Sequence, residues 1–390
     1  MEEINYNIIS LIDFLGLFQG LLFGTLLIVD SKKSKPTLFL GLFIITFSAE
    51  LFNIIIEDTH LLNLYPQFIF LPINFAFLSP VLLYLYTKSL IVNLNRKDYW
   101  LLLPGIIDFL VFAVLFCFPI STKLSMYANW EDSIFNLFYV LVFMPFVLYF
   151  IIKIIRLINS HQTKLNNYYS SIQNKQLKWV KMAAYYQLSF FAVMIISSFF
   201  ISNDSNIDGI VFSVLNLIFI CWASLFGFKQ PKVEVPILSD QSLEIPEKTI
   251  PLSVPIPEII EVKPPQIDEL EKDYQFLLTI MNTEKPFINS ELNLTDLAAL
   301  CRFSTKHLSH LINQKSGINF NQFINQYRVN AAKEMLLNPK FNHLNVVGIG
   351  YEVGFNSKAS FYAVFKKIAQ TTPAKFKKEQ NNLSASTQKV

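Results

Sequence analysis

Long apolar blocks fill most of the chain before Phe228, and they constrain its fold more than any other feature. Each block has about 20 residues, which is enough for one helix to cross the hydrocarbon core of a bilayer. In hydrocarbon the backbone must satisfy its own hydrogen bonds, which a helix does within one segment. We therefore predict seven spanning helices, at residues 8–29, 37–56, 68–91, 99–118, 133–158, 182–202 and 208–228.

The composition supports this prediction. Of the 390 residues 52% are hydrophobic and only 16% are charged, with 38 Phe and a mean hydropathy of +0.39. Two or three soluble domains, which the length alone would suggest, are not this apolar. The three cysteines, Cys117, Cys221 and Cys301, have neither disulfide nor zinc spacing, so we interpret them as packing residues.

The distribution of positive charge between the loops predicts the orientation of the spans. Alternate loops hold twelve Lys or Arg residues, whereas the opposite set holds only Lys123. Cytoplasmic loops carry the excess of Lys and Arg in membrane proteins. This places the N-terminus outside and the C-terminal part in the cytoplasm. The predicted location is the inner (cytoplasmic) membrane, crossed several times. The twelve are Lys32, Lys33, Lys35, Lys88, Arg96, Lys97, Lys153, Arg156, Lys164, Lys175, Lys178 and Lys181.

The acidic residues inside predicted spans include Glu50 in the second span and Asp108 in the fourth. Ionisable groups in hydrocarbon usually face the bundle interior and often serve ligand or proton pathways. We consider both as candidates for a membrane sensing site. The alternative is a structural role, in which each hydrogen-bonds between helices without touching a ligand.

Residues 229–265 differ in composition from what precedes them, and they contain eight prolines without a helical period. We predict an extended, partly stiff linker. In the polyproline form it would reach at most about 115 Å, at about 3.1 Å per residue.

After the linker, two short helices joined by a tight turn are predicted twice. In the second pair, a helix with Val346, Ile349 and Val353 stops at Gly354, and Ser357 caps the next. That next helix repeats apolar residues at Phe361, Phe365 and Ile368. This pattern is typical of a helix-turn-helix unit, whose second helix can enter a major groove.

The first pair lies about fifty residues earlier. Leu294–Leu300 predicts a short helix, and Ser304 can cap a second one whose Leu308, Leu311 and Ile312 face inward. A longer helix, predicted from Asn319 to Leu337, joins the two pairs and stops before Asn338-Pro339. It carries Phe320, Phe323, Ile324, Tyr327 and Ala331.

These motifs together resemble the signature of the AraC-type (AraC/XylS) transcription regulators. The matching residues are Gly354-Phe355-Asn356-Ser357-Lys358, Phe361, Phe365-Lys366-Lys367, Thr372-Pro373, Phe320-Asn321-Gln322-Phe323-Ile324, Tyr327-Arg328-Val329 and Ala331-Ala332. The resemblance covers roughly Asp268 to Lys378. It departs from the usual pattern at Gly350, where Ala is expected, and at Gln370, where Gly is common. It implies two helix-turn-helix units, bridged by one helix, that bind neighbouring turns of the major groove.

The polar faces of the two second helices supply the candidate DNA-binding residues. They are Lys306, Ser309, His310 and Asn313 on the first, and Ser357, Lys358, Ala359, Tyr362, Ala363 and Lys366 on the second. Small alanines allow close approach to a thymine methyl, whereas lysines bind phosphates as readily as bases. From Cys301 to the end thirteen Lys or Arg face three acids, the charge excess of a nucleic-acid-binding domain.

The sequence thus predicts an all-α chain with four parts. Residues 1–228 form the seven-span membrane region, 229–265 the linker, 266–380 the AraC-type domain and 381–390 a disordered tail. The predicted function is a one-component, sequence-specific regulator of transcription that binds double-stranded DNA and lies in a lipid bilayer. Its membrane part would sense an unknown ligand, and two copies could pair as a homodimer.

Two alternatives stay open. One is a membrane receptor or transporter whose basic cytoplasmic tail is a scaffold. The other is a membrane enzyme, for which Glu50 and Asp108 would be the first residues to test. The sequence has no His-Glu-x-x-His motif, phosphate-binding Gly loop or Ser-His-Asp set. We therefore expect no enzyme activity, no metal and no cofactor.

Overall fold

The computed structural model describes residues 7–30, 34–130, 133–172, 176–200, 206–228 and 267–387. In this part of the chain the secondary structure is helical, and the one strand-like pairing is a single antiparallel bridge between Tyr169 and Asn293. The all-α prediction is confirmed for these residues. The predicted linker at 229–265 lies outside them.

The chain divides into two compact units. The first contains the described residues up to His161 and from Leu177 to Phe228. The second contains 162–172, Gln176 and 267–387. Residues 162–172 and Gln176, which we predicted within the first domain, thus group with the C-terminal domain. The contacts responsible join residues more than a hundred positions apart, so no local pattern announces them.

The first unit has ten α-helices within the described ranges. They are α1 (Ile8–Asp30), α2 (Lys35–Ala49), α3 (Leu51–Asp58), α4 (Leu61–Leu64), α5 (Ser79–Ile91), α6 (Leu103–Phe116), α7 (Ile120–Ala128), α8 (Ile134–Tyr168), α9 (Lys178–Phe200) and α10 (Asn206–Phe228). The last residues of α8 belong to the second unit. Prolines occupy the first turns of α2, α5 and α6, where a missing N–H breaks no helical hydrogen bond.

Helices α1 and α2 pack closely because glycines line their contact. A Cβ on Gly20 would lie 2.3 Å from Cβ of Ser48, and one on Gly24 would lie 2.9 Å from the carbonyl oxygen of Gly41. Small residues at such positions let helix backbones approach, which is how helices associate where water provides no hydrophobic drive. The core beside this contact contains Leu40, Phe43, Leu83 and Val180, all buried.

Within the described residues, five helical segments are long and apolar enough to cross a membrane. They are Ile8–Asp30, Lys35–Asp58, Arg96–Phe116, Ile134–Tyr168 and Gly209–Gly227. They correspond to the first, second, fourth, fifth and seventh predicted spans. The sixth, 182–202, overlaps α9, which ends at Phe200, and residues 201–205 lie outside the described part.

The third predicted span, 68–91, is wrong as one continuous helix. Only Ser79–Ile91 is α-helical there, and 13 residues are too few to cross a bilayer. Phe70 has a left-handed backbone with φ of 60°, and a right-handed helix cannot continue through such a residue. Pro80 then suits the start of α5 rather than the middle of a longer helix.

The described part of the second unit adds seven α-helices, packed around α14. They are α11 (Ile267–Thr283), α12 (Leu294–Cys301), α13 (Thr305–Ser316), α14 (Phe320–Leu337), α15 (Val346–Glu352), α16 (Lys358–Ala369) and α17 (Pro373–Thr387). The first half of α14 contributes Phe320, Phe323 and Ile324 to a buried core that also contains residues of α11, α12 and α13. Its second half buries Val329, Ala332 and Leu336 against α15 and α16.

Helix α17 continues to Thr387 and so extends into 381–390, which we predicted to be a disordered tail. An ion pair one turn apart, between Lys375 and Glu379 with Nζ 3.6 Å from Oε1, lies on this helix. Residues 388–390 lie outside the described part.

Candidate nucleic-acid interface

The first helix-turn-helix unit consists of α12 and α13. Asn293 caps α12 by accepting a hydrogen bond from the Asp296 amide at 3.0 Å. The turn passes through Arg302, which has a left-handed backbone with φ of 56°. Ser304 then caps α13 by accepting the His307 amide at 3.1 Å. The predicted cap at Ser304 is confirmed, and Leu308, Leu311 and Ile312 are fully buried as predicted.

Helix α13 presents its polar face away from this core. Lys306, His310 and Asn313 are exposed, and Ser309 is half-buried. The other side of the helix is held against α11, where His307 Nε2 lies 2.8 Å from Asp273 Oδ2 and Lys315 Nζ 2.6 Å from Glu271 Oε2. We name α13 the first recognition helix.

The second helix-turn-helix unit consists of α15 and α16. Asn345 caps α15 by accepting the Gly348 amide at 2.7 Å. The chain turns at Gly354, whose φ of 95° favours glycine. Ser357 caps α16 by accepting the Ser360 amide at 3.1 Å. The predicted stop at Gly354 and the predicted cap at Ser357 are both confirmed.

Helix α16, the second recognition helix, buries Phe361 and Phe365 and turns its opposite face outward. On that face Lys358, Ala359, Ala363 and Lys366 are exposed. Tyr362 is half-buried, and Lys358 Nζ lies 5.9 Å from the centre of its ring. Ser357, as the cap, lies at the N-terminal end of the helix, where backbone N–H groups favour anions such as phosphate.

The two departures from the AraC-type pattern have physical explanations. A Cβ at Gly350 would lie 2.6 Å from the ring of Phe361, so glycine gives this ring its space. Gln370 ends α16 in the left-handed conformation that glycine adopts more easily, with φ of 56°. Its side chain Nε2 compensates in part by donating to the Lys367 carbonyl at 3.0 Å.

Helix α14 sets the distance between the two units. Asn319 and Gln322 form a reciprocal capping box at its start, with hydrogen bonds of 3.0 and 3.3 Å. Its 18 residues are about 27 Å long at 1.5 Å per residue. Successive major-groove faces on one side of B-DNA are about 34 Å apart. A bridging helix of this length therefore suits two neighbouring turns of a duplex.

Comparison with known proteins agrees with this geometry. Residues 297–379 match the family model described as a helix-turn-helix domain. They form an AraC-type helix-turn-helix domain. The match begins within α12 and ends within α17, so it covers the first helix-turn-helix unit from Leu297 onward, the bridging helix and the whole second unit.

Related proteins include transcription regulators. The Msm operon regulatory protein of Streptococcus mutans is 28% identical over 121 residues, which are 30% of this chain and 42% of that protein. Regulatory protein PocR of Salmonella typhimurium is 28% identical over 97 residues, 25% of this chain and 31% of PocR. The chain thus spans less than half the length of these curated relatives.

A solved structure, the C-terminal domain of AraT, a response regulator from Geobacillus stearothermophilus, is also similar. It is 26% identical and covers 28% of this chain and 84% of its own, with a TM-score of 0.24.

Sequence analysis missed the role of Arg328, a cation enclosed in the AraC-type domain. Its side chain is 1% exposed, and Nε donates to the Phe287 carbonyl at 2.7 Å. One terminal nitrogen donates to the Asn289 carbonyl at 2.8 Å, and its guanidinium lies 5.8 Å from the centre of the Phe355 ring. Burial lowers the pKa of Arg328 to about 10, so it stays charged at neutral pH. Arg328 is one of the thirteen basic residues counted from Cys301 onward. Because it is buried and bound to backbone carbonyls, it stabilises the fold of the domain.

The two candidate sensing residues lie in the first unit. Asp108, on α6, lines a cavity of about 640 Å³ whose walls are mainly apolar, including Phe77, Phe112 and Tyr139. Glu50, at the junction of α2 and α3, lines a smaller cavity of about 240 Å³. Glu50 Oε1 and Asp108 Oδ2 are buried and have no hydrogen-bond partner among the described residues.

In the described ranges, no three His, Cys, Asp or Glu side chains lie together as a metal site would require.

Proposed function

We propose that this chain is a membrane-integrated, one-component, sequence-specific DNA-binding regulator of transcription. The supporting observation is an AraC-type domain with two capped recognition helices, in a chain whose described part also has five helical segments apolar enough to cross a membrane. The proposed location is the inner membrane, with the C-terminal domain in the cytoplasm. This location follows from the charge asymmetry of the loops and from where DNA is found.

The two recognition helices would enter neighbouring major grooves. The side chains of Ala359 and Ala363 are small, so the backbone of α16 could approach base edges closely. Lys358 and Lys366, at its two ends, would reach phosphates. On α13, Asn313 and His310 offer side-chain hydrogen bonds to base edges, and Lys306 a phosphate contact. A homodimer, which would double the contacted length of DNA, remains a prediction.

Titration of the intact protein with duplex DNA at rising salt tests this proposal. We expect a preference for particular promoter sequences. We also expect the logarithm of the binding constant to fall linearly with the logarithm of the salt concentration. Lys366→Ala should reduce the salt slope by about 1, and Asn313→Ala should relax sequence preference by about 1–3 kcal/mol at one position. Lys164→Ala, which removes an exposed charge near the end of α8, is the matched control.

Equal affinity for all duplexes, with no change in either recognition-helix variant, would contradict DNA recognition. A basic cytoplasmic scaffold tail on a receptor or transporter would then be the better account.

We further propose that Asp108 and Glu50 belong to the sensing site. An acceptor oxygen without a partner, beside a cavity with apolar walls, suits an apolar molecule that carries a hydrogen-bond donor. Asp108→Asn and Glu50→Gln keep side-chain size and remove the charge. If they sense a signal, promoter output should lose its dependence on growth conditions while promoter occupancy is retained. Unchanged condition dependence would assign both residues a structural role.

A further inference from the structure

The last residue of α8 and the three residues after it, Tyr168–Ser171, pack within the second unit. We name them the docking strand. The Ser170 amide donates to the Leu292 carbonyl at 3.1 Å, beside the antiparallel bridge between Tyr169 and Asn293. The Tyr168 ring is buried in the core around α12 and α13, and its hydroxyl lies 2.9 Å from Thr295 Oγ1. This end of the strand is thus attached to the first helix-turn-helix unit.

The middle of the docking strand is attached to the bridging helix. Asn321 Nδ2 donates to the carbonyl oxygens of Tyr169 and Ser170, at 3.1 and 2.8 Å. The buried guanidinium of Arg328 donates to Ser170 Oγ at 3.1 Å and to the Ser170 carbonyl at 3.4 Å. Both α14 residues lie on the side of that helix that faces the strand. The strand therefore occupies hydrogen-bonding positions that the isolated C-terminal segment would leave to water.

The end of the docking strand reaches the second helix-turn-helix unit. Asn356 Nδ2 donates to Ser171 Oγ at 2.9 Å, and Asn356 directly precedes the cap of the second recognition helix. The same turn contains Gly354, where a Cβ would lie 2.4 Å from the Phe287 carbonyl that Arg328 binds. Four consecutive residues thus contact both helix-turn-helix units and the helix between them.

We propose that the docking strand couples helix α8 to both recognition helices, so that a displacement of α8 changes their relative position. Helix α8 is continuous from Ile134 to Tyr168 and is one of the five segments apolar enough to cross a membrane. Because a helix transmits axial and rotational displacement along its length, its end is a direct mechanical connection. The chain also passes between the units at Gln176–Leu177 and through 229–265. The latter stretch is rich in proline and was predicted to be a spacer.

Disulfide cross-linking in the full-length protein tests the docking. The Ser170-to-Leu292 hydrogen bond makes Tyr169 and Asn293 a non-hydrogen-bonded antiparallel pair, with Cα atoms about 4.5 Å apart. This distance permits a disulfide. We would combine Tyr169→Cys and Asn293→Cys with Cys117→Ala and Cys221→Ala, and insert a protease site in 229–265. Cys301 is retained, because it is buried and burial raises its pKa to about 11.

After mild oxidation and cleavage, the two fragments should stay joined on a non-reducing gel and separate on a reducing one. The control pair is Lys164→Cys with Asn293→Cys, because Lys164 lies more than one helical turn before the docking strand and is exposed. The control pair should cross-link at least about tenfold more slowly, because Lys164 is exposed and lies five residues before Tyr169 along the chain, whereas a disulfide needs two Cα atoms within about 7 Å. Equal rates for the two pairs, or no link in either, would overturn the docking.

Hydrogen exchange in the otherwise native protein provides the second measurement. Asn321→Ala removes two hydrogen bonds to the docking strand, and the alanine that it introduces favours the helix. Hydrogen exchange in peptides covering 165–172 should become about tenfold faster, because the strand loses the net stabilisation of two ordinary hydrogen bonds. Asn330→Ala, an exposed change of the same type on α14, should leave that exchange unchanged. Equal exchange in the two variants would contradict docking.

The coupling rests on the proposed DNA binding, and linkage tests it separately. Linked equilibria are reciprocal, so a promoter duplex recovered from the intact protein should slow exchange at 165–172 by about threefold. By the same linkage, Asn321→Ala should weaken binding of that duplex by about threefold. A duplex that binds without slowing exchange would overturn the coupling. Failure to bind any duplex would instead refute the proposed function, while the cross-link still decides the docking.

Discussion

Gly354→Ala is the substitution for which the structure predicts the largest backbone effect. Two costs combine there. The φ of 95° disfavours alanine by about 1–2 kcal/mol, as for any L-residue in the left-handed region. The new Cβ would also lie 2.4 and 2.6 Å from the carbonyl oxygens of Phe287 and Ile288. The first of these carbonyls is held by Arg328 at 2.7 Å, so it cannot move away without breaking that hydrogen bond.

Two other glycines in the same domain separate these costs. Gly317 has φ of 70° and no atom within 4 Å of an added Cβ, so Gly317→Ala should show the conformational cost alone, about 1–2 kcal/mol. Gly348 is inside α15 with only ordinary contacts of 3.5 to 3.8 Å, so Gly348→Ala should stabilise by about 0.5–1 kcal/mol. Overpacking adds about 1–3 kcal/mol, so Gly354→Ala should destabilise by about 2–5 kcal/mol.

Native-state hydrogen exchange of the full-length protein measures all three variants. The relevant amides are those hydrogen-bonded near each site, such as Phe355 to the Gly350 carbonyl and Gly317 to the Asn313 carbonyl. The free energy of opening of these amides gives the local destabilisation. If Gly354→Ala and Gly317→Ala destabilise equally, the close contact with the Phe287 carbonyl does not exist as described.

Three further substitutions or treatments test other contacts. Gln370→Gly should raise the opening free energy of α16 by up to about 1 kcal/mol, since glycine adopts the left-handed cap without strain; hydrogen exchange that is faster than in the wild type would contradict this. Arg328→Met should destabilise the second unit by at least about 3 kcal/mol, because it leaves several buried carbonyl oxygens without their hydrogen-bond donor. A variant with unchanged exchange in α14 would show that the arginine is dispensable. Maleimide at pH 8 should leave Cys301 unmodified until denaturant is added, because burial raises its pKa to about 11; rapid labelling of the folded protein would disprove its burial.

The helix-turn-helix units could be predicted because their signals are local. A cap such as Ser304 or Ser357 hydrogen-bonds an amide three residues away, so the sequence near each helix start contains the information. The same holds for the buried stripe at Phe361 and Phe365, which follows from helical periodicity. Five of the seven predicted spans correspond to helices long enough to cross a membrane for a similar reason, because length and apolarity are local properties.

The features that could not be predicted depend on distant contacts or on the backbone. Arg328 is enclosed by Phe287, Asn289 and Ser170, and Ser170 is 158 positions away in the chain. The apolar stretch 68–91 has the composition of a span, yet the left-handed backbone at Phe70 interrupts it. Gly350 looks like a weak helix residue in the sequence, and only the position of the Phe361 ring explains it.

The central claim is that a chain held in the membrane binds specific promoters through α13 and α16. Genome-wide mapping of DNA that is cross-linked in cells and recovered with the membrane fraction tests it most directly. We predict a small set of discrete promoter peaks that disappear in a Lys358→Glu/Lys366→Glu variant and persist in Lys164→Ala. A profile without peaks, or peaks that the double variant leaves intact, would contradict the claim.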